Sequence, residues 1–326
     1  MRARVPAAAG IASAAVAAVG AAAYERGAQR RRAQQRRFGL HGDAPLGQEL
    51  RRSLAARLDR AITGLEDRRG DRVEAVHDAR TSIKRTRTVL RLGRDQLGER
   101  RYHDENDALR SVSRHLASLR DAMTMPTVLE GVLDHDRGDI PADEIARLRT
   151  RLAARGEAAQ GDAAEESVGA ALAALRAVRE RVDDWPLTRE DAALTPVLDG
   201  FQRAYARAQK GYRRTHDHPD TDALHAWRKR VKDVRYGAEL LRDADPSRLK
   251  QMRREARKLS DLLGDDHDLA VLAELASDAP STSRLIDRRR QELQRSAFAL
   301  AEGLFARKPR KVAKHTRRRA RKRTAW

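Results

Sequence analysis

Two stretches of the chain repeat one arrangement of basic side chains. "VHDARTSIKRTR" carries His77, Arg80, Lys84 and Arg87, and "LHAWRKRVKDVRY" carries His225, Arg228, Lys232 and Arg235. Both read His-x2-Arg-x3-Lys-x2-Arg, and each member of the second set follows its mate by 148 residues. A second block recurs behind each. "HLASLRDAMTM" places Arg120 and Asp121 where "LLGDDHDLAVL" places His267 and Asp268, at an offset of 147. Two blocks at nearly one offset mark a duplicated unit.

These residue types suit anions. An arginine fork grips phosphate through two parallel hydrogen bonds, lysine adds a point charge, and histidine adds a donor that charges near neutrality. On a helix of about 100° per residue, Arg80, Lys84, Arg87 and Arg91 fall within about 60° of one another, beside His77. Val76, Ile83 and Leu90 occupy the adjoining arc. The second copy repeats the pattern, with Leu224, Trp227, Val231 and Val234 as its apolar arc. Arg85 and Arg230 fall outside the row and read as surface charges.

A basic row beside a core stripe points at a neighbouring helix or a groove. Like charges there repel and lose hydration, at a cost on the order of several kcal/mol. Two remedies exist. Acids on other helices, with Asp121, Asp261 and Asp268 as candidates, pair with the row. Alternatively, an anion from solution neutralises it, and two facing rows line a channel. A row rising about 5 Å per turn suits a linear, regularly charged polymer better than one small phosphate. Nucleic acid is the rival, but single-strand binders add aromatic stacking platforms. Here Trp227 lies in the apolar arc, and Tyr236 is the only aromatic near the row. That favours a polymer without bases.

The elements that must position these rows read as helices throughout. The 326 residues are 36% charged and 4% aromatic, with no cysteine, which favours an all-α protein and excludes disulfides and thiolate metal sites. Helices are expected over 44–68, 71–97, 105–122, 124–135, 141–182, 191–215, 220–243, 246–263, 266–276 and 282–305. Pro126, Pro141, Pro186, Pro219, Pro246 and Pro280 read as residues near helix starts. No stretch alternates with period two. The organisation expected is a tail over 1–41, a helical domain over 42–306, and a tail over 307–326. Within the domain, 42–140 and 191–306 are the two halves and 141–190 bridges them.

Formal net charge is +20, yet 1–41 carries +7 and 307–326 carries +11, which leaves the body nearly balanced. Anion binding by the body must therefore come from local arrangement. The uncharged run 5–23 has the length of a membrane span but only Ala, Gly and similar residues to fill it. A disordered or weakly helical tail, a weak membrane anchor and a cleaved signal are its three readings. The segment 307–326 reads as a disordered basic arm that attracts polyanions, nonspecific nucleic acid included.

The two basic helices and "LLGDDHDLAVL" resemble the CHAD family of conserved-histidine α-helical domains, over about residues 42–305. The resemblance implies a compact helical bundle of two pseudo-symmetric halves around a basic central cavity that binds inorganic polyphosphate. Carried over, His77, Arg80, Lys84, Arg87, Arg91, Arg120, His225, Arg228, Lys232, Arg235 and His267 would line that cavity. Arg120 departs from the pattern, standing where the second copy has His267. Some relatives carry a fused triphosphate-hydrolysing domain with a Glu-x-Glu-x-Lys motif, which this sequence lacks.

No enzyme is expected, and no cofactor. The chain has no P-loop, no Gly-x-Ser-x-Gly and no His-Glu-x2-His. The stretch 134–145 begins like a calcium loop without its closing ligands. His216 and His218 read as a solvated loop pair rather than a metal site. His267-Asp268 has no nucleophile beside it. The expected function is polyphosphate binding in the cytoplasm, with granules of the polymer as a destination. A nucleic-acid-associated protein driven by its tails is the alternative, and a polyphosphate-processing enzyme is the third reading.

Overall fold

Several helices begin where the sequence supplies a cap or a first-turn proline. Asp71 accepts hydrogen bonds from the backbone N–H of Val73 and Glu74, and Asp220 from that of Ala223. Pro196, Pro246, Pro280 and Pro309 stand in first turns, where a missing N–H costs nothing. The structure, a computed structural model, describes residues 38–322 apart from 43, 68–70, 136–139, 159–160 and 188–193. Within these, the side chains of 118 and 120–122 are not described. The uncharged run 5–23 lies outside the described residues.

Twelve helices and no strands are found among the described residues. They are α1 (Leu46–Glu66), α2 (Arg72–Leu92), α3 (Arg94–Leu97), α4 (Glu99–His115), α5 (Ala117–His135) and α6 (Ala142–Ala158). The chain continues with α7 (Asp162–Val182), α8 (Thr195–Asp217), α9 (Thr221–Leu240), α10 (Pro246–Leu275), α11 (Pro280–Leu304) and α12 (Pro309–Ala320). A short 3-10 turn, Arg242–Ala244, links α9 to α10.

The duplication is visible in the packing. The pair α1–α2 in the first half matches α8–α9 in the second, and α2 crosses α9 at the centre. Behind α2 stand α4 and α5; behind α9 stands α10, which runs unbroken through the turn that separates α4 from α5. One core joins both halves, with Leu54, Leu58, Ile83, Leu90, Phe201, Trp227 and Val231 all buried. A second core collects Leu129 and Leu133 of α5, Leu148 and Leu152 of α6, Leu272 of α10 and Ile286 of α11. The segment between the halves is thus structural cover: α6 closes the second core, and α7 packs on α1 and α4.

Two ion pairs cross from α2 to α9: Arg85 with Glu239 at 3.5 Å, and Arg91 with Asp233. Thr88 donates to the same Asp233 oxygen at 3.1 Å. The repeat offset of 148 maps Arg85 onto Asp233 and Arg91 onto Glu239. The two bridges are therefore symmetry mates with their charges inverted, both bases on α2 and both acids on α9. The lead-in to α1 adds a further tie across the halves. The Leu40 N–H donates to the Leu240 carbonyl at 3.0 Å, and His41 Nδ1 lies 2.6 Å from Asp243 Oδ2.

Several expectations change. The segment 307–326 is not a disordered arm over its described part: α12 buries Val312, Ala313, Thr316 and Ala320 against the body and packs on α8. Those four residues recur at helical spacing, and their burial offsets the repulsion of the cations between them. The helices expected at 246–263 and 266–276 are one element, α10. The helix expected over 141–182 is two, α6 and α7. Pro126 lies inside α5 rather than near a start, because α5 begins nine residues earlier, at Ala117. Arg85 is not a surface charge, since α2 packs on more than one side and its Nε is buried. Arg230 lies 3.7 Å from the buried Asp233. His216 belongs to the last turn of α8, its ring edge-on to Phe298 at 5.4 Å, so it is not a loop partner of His218.

Glycines permit the central crossings. A Cβ on Gly200 of α8 would lie 2.2 Å from the Leu92 carbonyl oxygen, and one on Gly237 of α9 would lie 2.6 Å from the Phe201 ring. Gly169 on the exposed side of α7 has open space around it. Gly200→Ala should cost about 1–3 kcal/mol or more through overpacking, whereas Gly169→Ala should stabilise by up to about 1 kcal/mol through helix propensity. Thermal or urea unfolding of the two variants measures both.

Candidate functional site

Each basic row lies half-buried between its own helix and the helix behind it. On α2, Arg80 reaches the end of α4, where its Nη1 donates to the Leu116 carbonyl at 2.7 Å and approaches the Ser113 carbonyl at 3.4 Å. A helix C-terminus leaves carbonyls without partners and carries negative partial charge, so a guanidinium is well placed there. Arg87 donates from Nε to Asn106 of α4 at 3.1 Å. His77 is exposed and Lys84 is partly exposed. Arg120 lies on α5, but its side chain is among those not described.

The second row solves the same problem differently. At the position matching the α4–α5 break, α10 continues, so Arg228 has no helix end to cap. Its guanidinium lies instead over Gly264, where a Cβ would come within 2.7 Å of Nη2. The His225 ring stands 4.1 Å from the His267 ring, tilted by 35°. Arg235 donates to the Ser260 hydroxyl at 3.1 Å and pairs with Asp261 at 3.3 Å. Asp261 thus does what one of the three candidate acids was expected to do. It is shared, however, with Arg257 at 3.5 Å, and it is more than half exposed. Lys232 is half-buried on the same face.

The electrostatics are strongly positive where the halves meet. Burial first, then Arg91 and Arg110, lowers the Arg87 pKa. Burial, then Arg230, Arg110 and Arg87, lowers that of Lys229, so cations of both halves act on each other. Arg207 of α8 is lowered by burial against the opposing pull of Asp233, with Arg91 and Arg230 adding to the shift. On the other flank Arg253 is lowered by burial and by Arg235 and Arg257, with Glu239 opposing. His225 is pushed down to about 4, by burial and then by His267, Lys229, Arg228 and Lys232. Its Nδ1 is buried without a hydrogen-bond partner. Acids are present on α10 as well: burial and the neighbouring Asp268 and Asp261 raise Asp265.

The structure therefore brings His225, Arg228, Lys232, Arg235 and His267 to one α9–α10 face, and Arg80 and Arg87 to the α2–α4 face. Arg91 turns aside, into the bridge with Asp233. Three cations escaped the sequence reading. Arg110 had a signal, since Arg257 follows it by the same 147 residues as the second block. Lys229 sits off the row on a helix wheel, and Arg207 lies on a helix with no repeated motif. Among the described residues no group of three or more His, Cys, Asp or Glu is placed to hold a metal ion.

A family model described as the CHAD domain matches residues 48–277. The chain belongs to the CHAD domain family. Two solved structures share the fold. The crystal structure of the CHAD domain from the plant Ricinus communis is 20% identical, with a TM-score of 0.58 over 83% of this chain and 95% of the other. PptA from Streptomyces chartreusis is 19% identical, with a TM-score of 0.55 over 81% of this chain and 98% of the other. A comparison with curated proteins found no match. Within this CHAD fold, α11 and α12 lie beyond the matched residues. No helix among the described residues is long and apolar enough to cross a membrane.

The depressed pKa of His225 has a consequence for stability. The folded protein holds this ring neutral down to about pH 4, whereas the unfolded chain takes up a proton near 6.5. Its contribution is therefore full above pH 6.5 and is lost as pH falls toward 4. Between pH 6.5 and 4.5, before carboxylates dominate, unfolding should lose on the order of 2 kcal/mol of stability after allowance for solvent screening. His225→Gln should flatten the slope in that window, read by urea unfolding at a series of pH values.

Proposed function

We propose that this protein binds inorganic polyphosphate without transforming it, through the two basic rows. The observation that carries the reading is the α9–α10 face, where Arg228, Lys232 and Arg235 repel one another beside the His225 and His267 rings, 4.1 Å apart. A bound anion would remove that repulsion, and half-buried cations gain most from a partner that arrives already charged and stripped of little water. Membership of the CHAD family, which is linked to polyphosphate binding, supports the same ligand. The residues proposed to contact it are His77, Arg80, Lys84, Arg87, Arg120, His225, Arg228, Lys232, Arg235 and His267, with Arg91 holding the crossing. Arg110, Lys229 and Arg207 extend the positive field. Binding of this kind would bring the protein to cytoplasmic polyphosphate granules.

Charge reversal tests the rows. Lys84→Glu with Lys232→Glu should weaken binding of long-chain polyphosphate by about 100-fold or more at low salt. Arg147→Glu with Arg155→Glu, on the exposed side of α6, changes net charge equally and should have little effect. Equal losses from both pairs in a calorimetric titration would assign affinity to bulk charge and remove the rows from the account.

Protons should report the same contact. An anion beside His225 favours its charged form, so binding should take up a proton and strengthen as pH falls from 8 to 5. The His225 ring signals in an NMR titration should move their midpoint upward from about 4 when polyphosphate is added. A midpoint that stays in place would put the ligand elsewhere.

A further inference from the structure

The final helix presents a second cationic surface, away from the rows and outside the matched residues 48–277. Its apolar side is spent on the body: Val312, Ala313, Thr316 and Ala320 are buried. Its other side borders an open groove of about 780 Å³ against α8, lined by Gln202, Arg310, Lys314, Arg317, Arg318, Arg321 and Lys322. Arg317 is the member tied down, to Asp199 at 2.6 Å. Arg310, Lys314, Arg318 and Arg321 are exposed and stand one helical turn apart, so they form a single ridge. From Arg307 to Lys322 the chain contains no acid.

We infer that this groove is a second, exterior polyphosphate site, so that one protein can engage two segments of polymer at once. The inference rests on the polyphosphate reading above. Like charges four residues apart destabilise a helix, and α12 exists because its apolar face is docked. An extended polyanion along the ridge relieves that repulsion. The groove lining has no aromatic side chain, hence no platform on which a base could stack. Its polar groups are guanidinium, ammonium and amide donors, set among the aliphatic stems of the same side chains, and such donors suit a chain made of phosphate alone. Two sites on one chain turn a long polymer into a cross-linker and raise its overall affinity through effective concentration.

Four full-length forms decide the matter: wild type, the row variant K84E/K232E, the groove variant R310Q/K314Q/R318Q/R321Q, and the combination. The groove variant leaves the buried face and Arg317 intact. The probes are long-chain polyphosphate, tripolyphosphate and duplex DNA. Wild type with long-chain polyphosphate should scatter light through cross-linking and should protect α12 from hydrogen exchange. The groove variant should lose both, while its tripolyphosphate affinity stays within about threefold. The row variant should keep a weaker binding that the combined variant reduces at least tenfold further. If the groove variant still cross-links and α12 gains no protection, the exterior site does not exist. If the residual binding of the row variant prefers duplex DNA at matched charge, the groove is a nucleic-acid surface and the inference is overturned. A row variant that binds as wild type does, beside a groove variant that does not, would remove the rows and leave the groove as the site. Absence of polyphosphate binding by every form overturns both.

Discussion

Guanidinium groups that face one another between helices repel, and the interior offers too little water to screen them. The arrangement around the α2–α9 crossing follows from that constraint. Arg85 and Arg91 are absorbed by Glu239 and Asp233. Arg80 is absorbed by carbonyls at the end of α4, and Arg235 by a serine and a shared aspartate. What is left includes Arg87, Arg207 and Lys229, whose pKa values are lowered by burial and by neighbouring cations. The fold tolerates this because two apolar cores and the glycine-mediated crossings supply the stability that the rows consume. Adding negative charge from solution should therefore help folding, whereas removing Arg91 would leave the buried Asp233 uncompensated and harm it.

The buried Arg57 shows how far the same tolerance extends. It is 1% exposed, donates once from Nη2 to the Phe38 carbonyl, and stacks over the Phe38 ring at 4.9 Å. Burial pushes its pKa down to about 10, with Glu239 opposing the shift. One acid on α9 thus serves Arg85 directly and Arg57 at longer range. Glu239 is consequently a point at which α1, α2 and α9 depend on a single carboxylate.

Much of this was legible in the sequence. The repeat of His-x2-Arg-x3-Lys-x2-Arg needs only the helical period to place its members on one face, and the all-helical class follows from composition. The break between α4 and α5 was not legible, because nothing at Leu116 distinguishes it from the continuous α10. That break decides whether an arginine caps a helix end, as Arg80 does, or rests on a glycine, as Arg228 does. The misreading of Arg85 has a simple cause: a helical wheel assigns one buried face, and α2 has neighbours on several. In 307–326 eleven cations mask a buried stripe of three small apolar residues and a threonine at helical spacing. Composition described the surface of α12, and periodicity described its dock.

The inverted bridges bear on how such a duplicated chain can associate with itself. If two copies of the first half met as the two halves now do, Arg85 would face Arg91 of the other copy. Two copies of the second half would set Asp233 against Glu239. Either homotypic pairing places like charges where opposite ones now stand, so neither half carries a self-complementary face. Exchange between chains is a different case. The first half of one molecule can meet the second half of another with both bridges intact. The charge inversion therefore forbids symmetric pairing of like halves and leaves reciprocal swapping as the one intermolecular arrangement that the crossing itself accepts.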